Sequence, residues 1–450
     1  MSLASVAVLG GGIAGLAAAH TLREALPGAE ITVLEAGTRP GGKVGTVAER
    51  GYVTEDGPNS VLDHGGVLRA LAGDVPFVEA PRSAAKRFVY LGGRLVAAPG
   101  GPGELATTQL LSLGAKLRLA CEPLLAKRRP AADESLLDFA VRHLGAEAGG
   151  LVARLAARGV HGGDEATLSV RAGFPRLAAL DERHRSVVVA GVAGMLHARN
   201  GERPPRAKLG TFDGGLGAVP TALAARLDEH LVLGARVTRL APRPGGWDLA
   251  WDGPRAGTGR VDAVVLALPA RAAAELLLHA APVAAEALSE IGASPMAVAH
   301  LGYRREAVDH PLDGFGALSG DDSLGALGVL FSSTMWPDRA PPGCVLLTVM
   351  LGGALAPHVA SLPEGDLLAL ARDAAGRAVG AKGEPDYARL VRWPAAIPRY
   401  SLGHAARVAT VEQALAPLPP LALAGASFHG VSMVEAAKSG VAAARALAAR

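Results

Sequence analysis

The stretch VAVLGGGIAGLAAAH, Val6 to His20, passes from β-forming residues through a glycine cluster into an alanine-rich segment. Read as strand, turn and helix, it spaces Gly10, Gly12 and Gly15 as G-x-G-x-x-G. The first glycine permits a tight turn, the second lets backbone amides approach a pyrophosphate, and the third lets helix and sheet pack closely. A phosphate then sits on the positive end of the helix dipole. Twenty residues after Gly15, Glu35 ends a second strand-like run, EITVLE (Glu30–Glu35). A carboxylate there accepts hydrogen bonds from a ribose diol and repels a 2′-phosphate, which disfavours NADP. Gly10, Gly11, Gly12, Ile13, Ala14, Gly15 and Glu35 are thus expected to hold a dinucleotide.

Working outward, 450 residues exceed one ordinary core, so two or three units are expected. Half the residues are hydrophobic and 19% charged, a globular balance. Cys121 and Cys344 have neither metal-ligand nor redox spacing; they suggest a reducing compartment and no disulfide framework, and no metal site is assigned. The first residues lead directly into the first strand with no leader character, and no apolar run is long enough to span a bilayer. The net charge of +3 is uneven: residues 81–210 carry 20 Lys+Arg against 11 Asp+Glu. A basic segment on a mildly acidic body suits an anionic partner such as phospholipid, acidic substrate or nucleic acid; it suits solvated helix faces equally.

Along the chain, helical spacing occupies 110–198, bracketed by loop signals at Gly100–Glu104 and Asn200–Arg206. Strand-like alternation returns after residue 210. Short apolar runs between Ala297 and Met350 suggest a mostly antiparallel sheet. The C-terminal LAGASFHGVSMVEAAKSG reads as strand, turn and a helix starting near Val431–Met433. Strand–turn–helix patterns at both ends imply a first domain built from discontinuous segments.

FAD and NAD share the glycine fingerprint, so other segments must separate them. In EAGTRPGGKVGT (Glu35–Thr46), Arg39, Gly42 and Lys43 suit bracing a pyrophosphate from the far side, as a longer cofactor needs. EDGPNS (Glu55–Ser60) is a turn able to bring backbone toward an isoalloxazine ring. A helix N-terminus after Ala426 would stabilise negative charge on a reduced flavin. Each segment alone is also an ordinary loop; their combination favours FAD.

That combination, GGGIAGL, LEAGTRPGGKVGT, DGPNS and AGASFHGV, resembles the flavin amine oxidase superfamily. Further stretches resemble its oxygen-dependent protoporphyrinogen oxidases: AAKRFVYLGGRLVAAP, RGVHGGDEATLSVRAGFP, TFDGGLGAVPTAL, DGFGALSG, VLFSSTMWPDRAP and RWPAAIPRYSLGH. The resemblance spans essentially the whole chain, in order. It implies an α/β fold with a discontinuous Rossmann-like FAD domain (1–80, 206–275 and 401–450). It also implies an α+β substrate domain with a mainly antiparallel sheet (81–97 and 276–400) and an α-helical membrane-docking lobe (98–205).

The activity implied is FAD-dependent oxidation of protoporphyrinogen IX to protoporphyrin IX, with oxygen as acceptor and hydrogen peroxide as product. No residue is assigned as catalytic acid or base, because the flavin carries the chemistry; His161 and His429 read as loop residues. The resemblance places Arg87 against a propionate, Gly159 close to the tetrapyrrole ring, and Phe331 and Phe315 on an apolar wall. For the cofactor it adds Ala36, Lys43, Gly57, Pro58, Asn59, Ser60, Val237, Trp393, Ala426, Val431, Ser432 and Met433. Departures from the family pattern are Glu435 and Ala436, where many relatives have Asp/Asn-Cys, and Asn59, where some carry arginine. The partners implied are a tetrapyrrole, molecular oxygen, the inner face of the cell membrane as a peripheral contact, and a second copy of the chain, with no nucleic acid. The alternatives are an oxidase of the same fold acting on coproporphyrinogen III, a polyamine or a carotenoid precursor, and a non-catalytic membrane-surface flavoprotein.

Overall fold

The run SVAVL forms the central strand, Ser5–Leu9, of a five-stranded parallel sheet in a computed structural model that describes residues 3–125, 132–184, 186–190 and 208–450. Its neighbours are Glu30–Glu35 and Ala263–Leu266, with Leu231–Leu233 and Leu421–Leu423 at the edges. Parallel strands are covered on both faces, which explains AVVL at 263–266: all four residues are buried. Helices Ile13–Ala25, Ala218–Leu227 and Met433–Ala448 cover one face. Helices Ala270–Leu277, Pro282–Ser289 and His404–Leu415 pack on the other, with a three-stranded antiparallel sheet. The abundant alanine and glycine, which carry no functional message in the sequence, have a packing role here. A side chain on Gly440 would meet the Ala14 carbonyl oxygen at 2.0 Å, so the first and last helices touch backbone to backbone.

The second sheet has seven strands in the order Tyr387–Pro398, Ala293–Arg304, Cys344–Gly352, Gly328–Phe331, Gly316–Ser319, Phe88–Leu91 and Arg94–Ala97. It is antiparallel except between Phe88–Leu91 and Gly316–Ser319. Strand alternation divides its two faces. Ala297, Ala299, Leu301 and Tyr303 pack with Leu367, Ala371 and Ala375 of the covering helix Glu364–Val379. On the opposite face, His300 bonds the Glu55 carbonyl through Nε2 (2.9 Å), and Gly302 lies against the Tyr52 ring. The second sheet is thereby joined to the two-stranded sheet Thr46–Glu49 and Tyr52–Glu55. The architecture is α/β with mixed sheets, and strands from both chain ends share one of them.

The segment with helical spacing folds as short helices, among them Leu113–Ala120, Leu136–Leu144, Ala146–Ala156 and Pro175–Arg183. Ser112 and Ser135 cap the first two of these through side-chain oxygens. The expected loop at Asn200–Arg206 and parts of the helical block lie outside the described residues. Inside this lobe His143, fully buried, sits between Glu122 (2.8 Å) and Asp181 (2.9 Å). Arg142 bonds both Glu134 (2.8 Å) and Asp181 (2.7 Å). This network sets three carboxylates against Arg142 and His143, so it takes none of the segment's basic surplus inward. Among the described residues the lobe also exposes apolar side chains: Leu113, Leu117 and Leu124 are 73%, 59% and 84% exposed.

Candidate active site

The glycine turn leaves a cradle at the start of helix Ile13–Ala25. Gly10 adopts φ +106°, and a side chain on Gly15 would lie 1.9 Å from the Gly10 carbonyl oxygen, so neither position admits another residue. Gly12, at the helix N-cap, faces open space and supplies no side-chain cap. The first-turn amides are thus left for an anionic ligand. Ile13 and Ala14 are buried under this turn. Glu35 is held by the amides of Gly11 (2.6 Å) and Gly37 (2.6 Å), beside the exposed Ala36. The strand leading to Val237 passes the same point: Ala235 N–H bonds the Glu35 carbonyl (2.8 Å), and the register slips between Val237 and Arg239. A diol-binding carboxylate beside an anion cradle fits a dinucleotide.

The second loop folds over this cradle. The Gly41 amide bonds the Gly11 carbonyl (2.8 Å), and Gly42 sits on Gly12. Arg39 and Lys43 do not present free cations. Arg39 pairs with Asp56 (2.7 Å) and bonds the Val44 carbonyl (3.0 Å), while Arg389 takes the other Asp56 oxygen (2.5 Å). Lys43 Nζ donates to the Ala396 carbonyl (2.5 Å), and burial lowers its pKa to about 8. In this arrangement a carboxylate and a carbonyl engage the two cations, which brace the loop. Asp56 also fixes Trp393, whose indole N–H donates to the Asp56 carbonyl (2.7 Å). Gly57, Pro58, Asn59 and Ser60 follow directly. Trp336 Nε1 donates to the Asn59 carbonyl (3.1 Å), and buried Arg339 pairs with buried Glu55 (2.9 Å). Burial pushes the Glu55 pKa up, against the opposing pull of Arg339.

The C-terminal turn is held from the far side. The Tyr400 hydroxyl donates to the Ala426 carbonyl (2.7 Å) and accepts from the Gly430 amide (2.6 Å). Ser432 caps helix Met433–Ala448, Met433 is buried, and Val431 packs on the core of the helical lobe. Glu435 pairs with Lys438 (2.9 Å), so the departure at 435 is absorbed on the helix surface.

Between the second sheet and the loop at 57–60 lies the rim that gathers several expected substrate residues. Arg87 is exposed and has no carboxylate partner among the described residues; its guanidinium lies 5.6 Å from the centre of the Phe315 ring. Phe315 and Leu330 pack together on Ala84, Met335 and Trp336. Gly159 meets the side chain of Leu318, and Gly162 meets that of Met296. Phe331 departs from its expected place. It is fully buried, 6.1 Å from Phe88 and 5.5 Å from His310 by ring centres, in the core under helix Glu364–Val379. Alternation sends Phe331 to that face and its neighbour Leu330 to the rim. Half-buried Leu318, Leu330 and Met350 share the Leu330 face, and sequence reading missed all of them. The signal was available as strand parity within VLFSS and VLLTVML.

His161 is likewise not a plain loop residue. It ends the π-helical turn Ala157–His161, is 2% exposed, and packs near Tyr400 and Phe174. Burial lowers its pKa to about 4, and that of His404, stacked on Tyr400, likewise to about 4. His429 is exposed in its turn.

Comparison with known proteins gives this geometry a family. The model of the flavin containing amine oxidoreductases matches residues 13–448. Protoporphyrinogen oxidase of Homo sapiens is 32% identical, covering 97% of this chain and 96% of its own length. The chloroplastic protoporphyrinogen oxidase of Oryza sativa is 32% identical over 92% of this chain and 82% of its own. Coproporphyrinogen III oxidase of Bacillus subtilis is 28% identical over 97% and 96%. A crystal structure from Exiguobacterium sp. 255-15 superposes with a TM-score of 0.82 at 24% identity, covering 100% of this chain and 99% of that one. The chain belongs to the flavin-containing amine oxidoreductase family and is an FAD-dependent oxidoreductase.

Proposed function

We propose that the protein oxidises protoporphyrinogen IX to protoporphyrin IX in successive two-electron steps, passing electrons to oxygen and releasing hydrogen peroxide. The observation that carries this reading is Arg87, a cation without a carboxylate partner among the described residues, at the edge of the apolar strip formed by Phe315, Leu330, Leu318 and Met350. A large ring with propionates on one side needs this combination, with an ionic anchor at the rim and apolar surface beneath the ring. The near full-length similarity to oxidases of porphyrinogens supports it.

When bound, FAD supplies the two-electron acceptor. The chain's residues bind and orient. The first-turn amides of helix Ile13–Ala25 would hold the pyrophosphate and Glu35 the adenosine ribose, and backbone near Val237 would border the adenine. The loop 57–60 and the turn 426–433 enclose the flavin end. Arg87 fixes a propionate, and the Gly159 turn brings backbone against the ring.

The second reading, coproporphyrinogen III, is favoured by the similarity to the Bacillus subtilis enzyme. It requires more cations at the rim, where Arg87 stands alone among the residues assigned here. An aerobic assay with each porphyrinogen separates the two: faster turnover of protoporphyrinogen IX supports the proposal, and exclusive use of coproporphyrinogen III overturns it.

The helical lobe carries the proposal of a peripheral contact with the inner face of the cell membrane. Leu113, Leu117 and Leu124 project from a segment with surplus Lys and Arg, a combination suited to an anionic interface. No helix among the described residues is long and apolar enough to cross a membrane.

A further inference from the structure

The helical lobe and the substrate sheet meet at Gly162, whose carbonyl accepts from the Ala354 amide (2.7 Å), and at a hairpin, the turn 320–327 between strands Gly316–Ser319 and Gly328–Phe331. Two arginines from the lobe grip the hairpin. Arg158, in the π-helical turn, donates through Nη1 to the Asp321 carbonyl (2.8 Å) and pairs through Nη2 with Asp322 (2.6 Å). Arg154 donates to the Gly320 carbonyl (3.0 Å) while its Nε holds Glu165 (3.1 Å). On the hairpin side, the Asp321 carboxylate accepts from the amides of Gly92 (2.8 Å) and Ser323 (3.0 Å), so the gripped carbonyls are themselves fixed.

One residue beyond Arg158, Gly159 rests on Leu318; a methyl group there would come within 2.9 Å of it. Contact at Gly159 limits closer approach of the lobe to the sheet, and the two arginines, with the Ala354–Gly162 hydrogen bond, resist its moving away. The contact so fixed joins Gly159 to Leu318 at one edge and sets how the Gly159–Gly162 backbone stands over the face that carries Leu330 and Met350. We propose that Arg158, with Arg154 in support, is a positioning residue that sets the width of the substrate cleft and thereby which porphyrinogen it accepts. This rests on the porphyrinogen reading above.

The pair is poorly built for stability alone. The Arg158 side chain is 6% exposed and its Nε has no partner among the described residues, while the carboxylate it pairs with, Asp322, is 93% exposed. A buried charge with incomplete partners is costly to hold. The geometric constraint is the gain that such an arrangement offers. A loosened cleft should admit a ring with four carboxylate arms more readily relative to one with two.

The test compares wild type with Arg158→Met, which keeps the methylene packing, and Arg158→Lys, which keeps one donor. For Arg158→Met the KM for protoporphyrinogen IX should rise about tenfold, that for coproporphyrinogen III less, with kcat and FAD content nearly unchanged; Arg158→Lys should recover part of the difference. Hydrogen exchange at 159–162 and 320–327 in the substrate-free protein should speed up in Arg158→Met. Equal change in both KM values, or unchanged exchange at these segments, overturns the proposal. Wild type that oxidises neither porphyrinogen overturns the functional reading instead, and the exchange measurement still decides whether the clamp exists. Asp322→Asn, on an exposed partner, gives the same comparison if Arg158→Met fails to fold; no increase in exchange there also counts against the clamp.

Discussion

The Tyr400 hydroxyl lies 2.6 Å from the Gly430 amide and 2.7 Å from the Ala426 carbonyl, bridging the two ends of the turn that precedes the last helix. Tyr400 is also part of the core of the helical lobe, so one phenol ties the lobe to the proposed flavin pocket. Burial pushes its pKa up to about 12, which keeps the bridging hydroxyl protonated at neutral pH. Tyr400→Phe removes both hydrogen bonds and retains the ring. It should cost about 1–3 kcal/mol of stability and raise the FAD dissociation constant severalfold. A flavin titration checks this; unchanged FAD affinity would show that the turn does not depend on Tyr400.

Leu330 and Phe331 are adjacent in sequence and face opposite sides of the sheet. Phe331→Ala should lower stability by about 3–5 kcal/mol, because it opens a cavity under the covering helix. Its KM for porphyrinogen should change little if the protein is assayed well below its melting temperature. Leu330→Ala should do the reverse, raising KM with a smaller loss of stability. Thermal unfolding and steady-state kinetics on the two variants read the assignment directly.

Three buried imidazoles make the fold acid-sensitive. Burial lowers the pKa of His161, His300 and His404 to about 4 each. In the unfolded chain they titrate near 6.5, so between these values the unfolded state binds more protons than the folded one. Their stabilising contribution is complete above pH 6.5 and declines as pH falls toward 4, by at most roughly 3 kcal/mol per group. Denaturant titrations should show stability falling across that window. His300→Asn should flatten the slope, and a pH-independent stability would contradict the burial of these rings.

If the lobe meets a membrane, its exposed leucines should decide affinity. Replacing Leu113, Leu117 and Leu124 with serine should weaken sedimentation with phosphatidylglycerol vesicles while leaving FAD content intact. Equal binding by wild type and variant would reject this face as the contact.

Much of the first unit was legible in sequence because its chemistry is local. Gly10, Gly15 and Glu35 act through backbone geometry set by near neighbours, and a pattern of spacings records it. The rim was less legible because it is made between strands distant in sequence. Arg87 and Phe315 come together 228 residues apart, and which of Leu330 or Phe331 faces them depends on sheet parity. Arg39 and Lys43 show another limit. Their positive charge was visible, but Asp56 and the Ala396 carbonyl, which engage them, become neighbours only in the folded chain. The buried His143 network illustrates the same point, since Glu122, Glu134 and Asp181 meet Arg142 and His143 only in the folded chain.

The central claim is tested most directly by incubating the FAD-loaded protein aerobically with protoporphyrinogen IX and following porphyrin fluorescence and hydrogen peroxide together. The account predicts porphyrin formation well above autoxidation, with peroxide released as oxygen is consumed. Arg87→Ala should raise KM by about 10- to 100-fold with FAD content unchanged, as expected for loss of a charge-assisted contact. A protein that binds FAD yet yields no porphyrin above the autoxidation rate would contradict it.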